Sequence, residues 1–179
     1  MARYAAFLRG MNLGGRRITN EELAAAVAGI GFEEIETFRA SGNVIFSARD
    51  GGEDAIAGRL ERGLGEALGY EVPVFLRSAA EVRAIAAREP FAAAALAASS
   101  GKLQVALLLG RPPAKRRGEA LALATDADRL AIDGRELYWL PRGGMSESEL
   151  DLNAIGAGLG PMTIRTMGTI EQVAARYFG

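Results

Sequence analysis

The order of secondary-structure signals in the first 77 residues restricts the chain to very few folds. Four short apolar runs typical of strands are interspersed with two longer patterns of helical period. Strands are predicted at residues 3–9, 34–39, 43–48 and 72–77, and helices at residues 19–31 and 53–70. Strand-helix-strand-strand-helix-strand is the order of the ferredoxin-like split βαβ unit. We therefore predict such a subdomain for residues 1–77.

Several of these elements carry specific end signals. Thr19 precedes Glu22 by three residues, which is the spacing of a capping box, and Gly31 suits the left-handed residue that ends a helix. Pro73 has no backbone N–H to donate to a sheet, so we expect the strand at 72–77 to lie at an edge.

The second half repeats this order with additional helices. A helix near 79–88 and an alanine-rich stretch to residue 98 come first, and Asp133-Gly134 is a strong hairpin signal further on. The remaining predicted elements are a strand at 103–109, a helix from Pro112, strands on both sides of the hairpin, a helix at 147–157, a candidate last strand at 162–166 and a helix at 169–177. The prediction is an α+β protein of two tandem ferredoxin-like subdomains, 1–77 and 78–179, with an internal duplication of topology.

Composition removes several kinds of chemistry. The chain contains no cysteine and no histidine, which excludes disulfides, thiolate nucleophiles, the usual zinc ligands and imidazole acid-base catalysis. The net charge of −1 argues against a surface built throughout for nucleic acid or membrane. No apolar run is long enough to span a bilayer and no signal-peptide pattern is present, so we expect a cytoplasmic protein without membrane contact.

The predicted topology brings two basic, glycine-containing turns to one edge of the first sheet. Right-handed crossovers place the loop after the first strand, residues 9–17, beside the hairpin at 39–43. The candidate ligand-binding residues are Arg9, Asn12, Gly14, Gly15, Arg16, Arg39, Ser41, Gly42 and Asn43, joined by Arg165 from the second subdomain. Arginine forks, open glycine backbone and a helix N-terminus favour a phosphate- or carboxylate-bearing ligand. In this interpretation the arginines hold the anion's charge and the asparagines orient it.

A purely structural interpretation remains open for the same residues. The loop glycines would then only turn the chain, Ser41 and Asn43 would be ordinary hairpin residues, and Arg9, Arg39 and Arg165 would pair with acids or carbonyl groups. The loop matches neither the dinucleotide-binding GxGxxG pattern nor a P-loop.

Three stretches resemble a known bacterial family, domain of unknown function 1697. They are AAFLRGMNLGG, ELAAAVAGIGFEEIETFRASGNVIF and TIRTMGTIEQVA, and the resemblance is close over the first 47 residues and moderate over the last 20. The resemblance implies two ferredoxin-like subdomains in tandem and an uncharacterised activity. The family pattern marks Arg9, Gly10, Asn12, Gly14, Gly15, Ser41, Gly42, Asn43, Thr163, Arg165 and Thr169.

Two positions depart from the family pattern. Phe38 stands where the family tends to have tyrosine, and Thr166 stands where it tends to have asparagine. If the asparagine amide contacts a ligand in the family, this chain binds it differently or not at all. In the same segment, Thr169 is predicted to be the N-cap of the last helix, with Arg165 just upstream.

Particular residues bear on other classes of function. Binding of RNA as in an RNA-recognition motif requires stacking aromatics, but Ser41 and Asn43 occupy those positions. A structural module or homodimer would form its contacts through Tyr138, Trp139, Phe91 and the alanine-rich segment 92–98, although core packing is the alternative for Trp139. Whether the chain is an enzyme stays open, because no nucleophile-base pair is present. The acids of residues 147–151 suit a helix N-terminus better than Mg²⁺, so no metal site is predicted, and the sequence does not identify a cofactor.

Overall fold

The computed structural model describes residues 1–40, 42–49 and 51–179, and these form two four-stranded antiparallel sheets with seven α-helices. The strands are β1 Ala2–Leu8, β2 Glu33–Thr37, β3 Asn43–Ala48, β4 Val74–Ser78, β5 Gln104–Leu108, β6 Asp128–Asp133, β7 Glu136–Pro141 and β8 Met162–Thr166. The helices are α1 Asn20–Ile30, α2 Glu53–Leu68, α3 Ala79–Ala86, α4 Ala93–Ala97, α5 Ala114–Leu121, α6 Leu152–Leu159 and α7 Met167–Tyr177.

The two sheets have the same strand order. The first runs β2-β3-β1-β4 and the second β6-β7-β5-β8, and every pairing is antiparallel. This is the order that a split βαβ unit produces when its first and third strands lie at the centre. The chain is therefore an α+β protein with two ferredoxin-like subdomains, as predicted. Strand β4 lies at an edge of its sheet, and Pro73 immediately precedes it.

The chain divides into two compact units whose bounds differ from a division at residue 77. The first unit comprises Met1–Ala84 together with Val173–Gly179, and the second comprises Ile85–Gln172. Helix α3 thus falls mainly in the first unit. The C-terminal part of α7 also belongs to the first unit, although it follows the second in sequence.

The core of the first unit lies between its sheet and helices α1 and α2. Leu23 and Val27 of α1 and Leu60 and Leu64 of α2 are buried against alternate residues of the strands, such as Phe46. Both ends of α1 follow the predicted signals: Thr19 and Glu22 form the capping box, and Gly31 has a left-handed conformation. The helical period of the apolar residues therefore fixes which faces of α1 and α2 meet the sheet.

The core of the second unit is built in the same way. Ala106, Leu137 and Trp139 face Ala120 of α5 and Ile155 of α6. Trp139, the one tryptophan of the sequence, is buried in this core, which confirms the packing interpretation for its side chain. Gly134 turns the β6–β7 hairpin with a positive φ of 59°, as the Asp-Gly signal predicts.

Helix ends near the C-terminus differ from the predictions. The candidate strand at 162–166 is confirmed, because β8 pairs with β5. The N-cap prediction for Thr169 is wrong: α7 begins at Met167, and the hydroxyl of Thr166 accepts the backbone N–H of Thr169 at 3.2 Å. The strand passes directly into the helix, so the last strand residue serves as the cap.

The segment predicted as a helix at 147–157 is only partly helical. A short 3₁₀ turn spans Met145–Glu147, and α6 begins at Leu152 after an N-cap, Asp151, whose carboxylate accepts the N–H of Ala154 at 2.9 Å. The N-cap interpretation of this acid is thereby confirmed. Within residues 1–40, 42–49 and 51–179, no helix is both long and apolar enough to cross a membrane.

Candidate functional site

The loop after β1 is fastened directly to the β2–β3 hairpin. The side-chain amide of Asn12 donates to the carbonyl of Ala40 at 2.7 Å, and the backbone N–H of Leu8 donates to the carbonyl of Gly42 at 2.8 Å. These bonds join segments separated by 28 and 34 residues in sequence. The predicted convergence of the two turns at one edge of the first sheet is confirmed.

Two of the candidate residues serve this attachment. Gly42 is buried with a φ of 76°, and a Cβ atom there would come within 2.8 Å of Met11 and 3.1 Å of Leu8, so only glycine fits. Asn43 is buried, and its amide donates to the carbonyl of Phe38 at 2.7 Å. Ser41 lies outside the described residues.

Both asparagines of the predicted site therefore hold backbone groups. Besides its bond to Ala40, Asn12 accepts the N–H of Ile18 at 3.5 Å, which ties the two ends of the loop together. Asn12 is exposed, whereas Asn43 has only 1% of its surface exposed. The geometry gives both side chains a role in holding the turns, and Asn12 alone keeps contact with solvent.

The arginines of the loop are exposed, and no carboxylate pairs with them in the part of the chain described. The side chains of Arg9, Arg16 and Arg17 form none of the ion pairs found there, whereas Arg3 pairs with Glu36 at 3.2 Å. Such guanidinium groups are available to an external anion.

Arg16 and Arg39 each lie over an aromatic ring. The guanidinium of Arg16 is 4.1 Å from the centre of the Tyr70 ring, and that of Arg39 is 5.4 Å from the centre of the Phe38 ring. Arg39 also has a positive φ of 59°, which is uncommon for a residue with a side chain. The structure thus directs these two arginines towards different rings.

A cavity of about 500 Å³ opens beside the loop. Its walls come from the end of the loop, from α1 and from the end of α2, and they include Arg16, Arg17, Ile18, Leu68 and Tyr70. The glycines at 14 and 15, with φ of 61° and 81°, are exposed, have open space around them and turn the loop just before Arg16. The volume is typical of a small-molecule site, and its lining combines apolar surface with two cationic groups and one carboxylate, Glu22.

Comparisons with known proteins place the chain in a family. The sequence model of the family described as "Protein of unknown function (DUF1697)" matches residues 1–138 of the 179. The chain belongs to this family. The matched region includes the loop, the hairpin and the cavity beside them.

A solved structure shares the fold. The chain is similar to the conserved bacterial protein SP0830 from Streptococcus pneumoniae, with a TM-score of 0.71 and 18% sequence identity. The similarity covers 98% of this chain and 97% of that one. No curated protein matches the sequence.

Arg165 lies in the second unit, on β8. The side chain is 9% exposed, and its Nη1 donates to the Thr163 hydroxyl at 2.8 Å and to the carbonyl of Ile164 at 3.0 Å. Burial lowers the pKa of the Arg165 guanidinium to about 10, so the group remains charged at neutral pH. Both of these hydrogen bonds lie within its own strand, β8.

A second buried arginine, Arg77 on β4, was not predicted. Its Nη1 donates to the carbonyl of Leu76 at 2.8 Å, and the side chain is fully buried. Arg77 pairs with Ala5 of β1 in the same way that Arg165 pairs with Val105 of β5. A pattern shared by the two halves of the sequence could have revealed it: an arginine precedes a hydroxyl residue at the end of the fourth strand of each unit.

A buried carboxylate in the second unit was also missed. Asp128 accepts hydrogen bonds from the Trp139 indole at 2.8 Å, from the Ser148 hydroxyl at 2.6 Å and from the Thr125 hydroxyl at 2.7 Å. Burial raises the pKa of Asp128, but the hydrogen bonds from Ser148, Thr125 and Trp139 outweigh it, and the net pKa lies below the ordinary value. The cluster satisfies a buried charge and fastens the chain around Ser148 to β6.

Proposed function

We propose that the protein binds a small anionic ligand, phosphate- or carboxylate-bearing, at the loop of residues 9–17. The observation that carries the proposal is the pair of Arg16 and Arg17 in the wall of the 500 Å³ cavity, with no carboxylate partner among the residues the structure describes. Arg9 adds a third exposed positive charge to the same loop. The apolar side of the cavity would contact the carbon skeleton of the ligand.

The attachment of the loop supports this proposal. The bonds of Asn12 to Ala40 and to Ile18 restrict the loop, so less conformational entropy is lost when an anion binds. The contact with the Tyr70 ring likewise restricts the Arg16 guanidinium before an anion binds. Arg39 and Gly42 remain in the proposal as parts of the adjoining hairpin.

Burial of the first sheet argues against the alternative of RNA binding. An RNA-recognition motif stacks bases on exposed aromatics of the central strands. Here Phe7 of β1 and Asn43 and Ile45 of β3, on the sheet face opposite α1 and α2, are all buried. A homodimer without a ligand is the other alternative. Light scattering distinguishes a homodimer from a monomer by its mass in solution.

The experiment is a thermal-shift and calorimetric titration with inorganic phosphate, citrate, nucleotides and sugar phosphates. At about a hundredfold excess over Kd, a ligand adds about 2.7 kcal/mol to the stability. We expect this gain to disappear in Arg17→Gln and to persist in Arg111→Gln, a matched exposed arginine of the second unit. No gain with any anion, or an equal gain in both variants, would overturn the proposal.

A further inference from the structure

The cavity beside the loop continues into a longer groove between α1 and α2. A second cavity of about 590 Å³ lies between these helices, with Gly29, Arg59, Arg62 and Glu66 in its walls. Both cavities include Ala26 and Ala67, so they adjoin. We call the combined feature the α1–α2 groove. It lies entirely within the first unit.

The groove is positively charged, unlike the chain as a whole. Its lining residues include four arginines, Arg16, Arg17, Arg59 and Arg62. Its two acids are Glu22 and Glu66, and Glu22 is already engaged, because its carboxylate accepts the N–H of Thr19 at 2.7 Å. The net charge of the whole chain is −1. An occupant of the groove would therefore meet a local excess of positive charge.

Some exposed arginines of the described chain form ion pairs, whereas others, such as Arg9 and Arg111, do not. Arg49 pairs with Glu33 at 3.0 Å, and Arg88 pairs with Asp133 at 3.4 Å. None of the four groove arginines makes an ion pair among the residues described, although Glu66 lies in the same cavity wall as two of them. Their charges are thus not neutralised within the described chain.

Aromatic rings and backbone hold two of these arginines in place. Arg59 lies 4.2 Å from the centre of the Phe32 ring and donates to the carbonyl of Gly31 at 3.2 Å. Arg16 lies over Tyr70 at the other end of the groove. Since these side chains are already positioned, less rotamer entropy is lost when they bind an acid.

We propose that the α1–α2 groove binds an acidic segment of a partner protein. This inference rests on the proposed function: a carboxylate of the segment is the anion held by Arg16 and Arg17, and a second carboxylate lies at Arg62. From Arg59 to Leu68, α2 extends about 14 Å at 1.5 Å per residue, which matches about four extended peptide residues. Small apolar side chains between the acids would contact the floor at Ala26 and Ala67.

The chemistry of the groove favours a peptide over a nucleic acid. Single-stranded nucleic acids bind by stacking bases on aromatic rings. Among the described lining residues the single aromatic is Tyr70, and it already carries the Arg16 guanidinium. The remaining floor is aliphatic and suits small apolar side chains.

One variant blocks the groove without changing its charge. A Cβ atom at Gly29 of α1 would meet no atom within 4 Å, so Gly29→Gln fits the fold and projects into the groove. Gly118→Gln is the matched control, because Gly118 lies in α5 and also has open space around it. Gly63 is unsuitable as a probe, since a Cβ there would collide with Ile30.

A second variant changes charge without filling space. Arg62→Glu reverses one exposed charge of the groove, and Arg111→Glu reverses an exposed charge of the second unit as its control. The two test variants act by different mechanisms, so a folding defect in one leaves the other informative. Circular dichroism confirms folding of each variant before binding is measured.

The test is fluorescence polarisation with labelled peptides of about eight residues, twice the length of the groove. One peptide alternates glutamate with alanine, one alternates lysine with alanine, and a single-stranded RNA oligonucleotide is the third probe. At about 0.1 M salt we expect only the glutamate peptide to bind. We expect Kd to rise about tenfold or more in Gly29→Gln and Arg62→Glu, which corresponds to about 1.4 kcal/mol, and to stay unchanged in both controls.

The outcomes separate this inference from the proposed function. Small anions that bind in an Arg17-dependent manner, together with glutamate-peptide binding unaffected by Gly29→Gln and Arg62→Glu, would overturn the inference and leave the proposed function standing. Equal binding of the lysine peptide, or binding of the RNA alone, would also overturn the inference. Absence of binding by every anion and by the peptide would overturn both.

Discussion

Ser148 offers a sharp test of how the second unit is stabilised. Its hydroxyl donates to the carboxylate of Asp128 at 2.6 Å and accepts the N–H of Leu150 at 3.1 Å. Asp128 is fully buried, so the carboxylate depends on its three side-chain donors. Replacing Ser148 by alanine removes one donor and leaves a buried charge less well satisfied.

The expected cost follows from these bonds. A hydrogen bond to a charged group contributes about 1.5–3 kcal/mol, and an ordinary one about 1 kcal/mol. Ser148 is half-buried, so water replaces part of what is lost, and we expect Ser148→Ala to lower the free energy of unfolding by about 2 kcal/mol. With a urea m-value of about 2 kcal/mol/M, the midpoint falls by about 1 M.

The protein contains its own probe for this measurement. Trp139 is the single tryptophan, lies in the core of the second unit and donates to Asp128. Its fluorescence in urea therefore follows unfolding of that unit. Ser146→Ala is the matched control, because Ser146 is exposed in the same segment and no hydrogen bond of its side chain is found in the described chain.

The comparison has a clear negative outcome. If Ser148→Ala and Ser146→Ala unfold within about 0.2 M urea of each other, the cluster around Asp128 does not stabilise the unit and the reasoning fails. A loss confined to Ser148→Ala, with an unchanged m-value, would show that the hydrogen bond and not the compactness of the unfolded chain accounts for the difference.

Three further predictions concern stability. Because the pKa of Asp128 is lowered, its stabilising effect is present above the unfolded pKa of about 3.9 and is lost as pH falls below it. Asp128→Asn should therefore be less stable than the parent near neutral pH, and the difference in stability should shrink in acid. Urea titrations of both proteins across pH measure this difference. Thr166→Ala should cost about 1 kcal/mol through loss of the α7 cap, whereas Thr166→Asn should stay near the parent in Trp139 fluorescence. In thermal melting, Gly29→Ala should stabilise by about 1 kcal/mol through helix propensity, and Gly63→Ala should destabilise by about 1–3 kcal/mol through its collision with Ile30.

The element order was predictable because it depends on local patterns. The capping box at Thr19, the hairpin glycine Gly134 and the strand at 162–166 all lie where the sequence indicates. The helix predicted at 147–157 was shortened by a contact that local patterns do not contain. Ser148 bonds to Asp128, 20 residues away, and this holds the backbone outside a helix until Asp151.

The error at Thr169 has a different cause. Two threonines, Thr166 and Thr169, lie three residues apart, and either could cap a helix. The choice depends on where β8 ends, which its pairing with β5 decides. Thr166 pairs with Gln104 at the end of β8 and then caps α7. This is the position at which the family pattern tends to have asparagine, and the threonine here has a capping function. Asparagine is also a good N-cap, so the capping bond of Thr166 is compatible with either residue.

The candidate site could be located from topology, but not the roles of its residues. An asparagine in a turn can hold a backbone carbonyl or face a ligand, and the partner of Asn12 lies 28 residues away. The basic character of the loop was visible in sequence. The contribution of Tyr70 was not, because it comes from the end of α2 and meets Arg16 only in the folded chain.

The two buried arginines lie at equivalent positions in the two units. Arg77 and Arg165 occupy the same register of the fourth strand in each unit, and each donates to the carbonyl of the residue before it, Leu76 or Ile164. A buried guanidinium is costly unless its donors are satisfied, and its planar fork can bond to its own strand while keeping further donors. The arrangement also occurs in the first unit, whose fourth strand reads VFLRS, so the TIRT sequence is not required for it. The burial of Arg165 thus recurs at the equivalent strand position of the first unit, where Arg77 is buried as well.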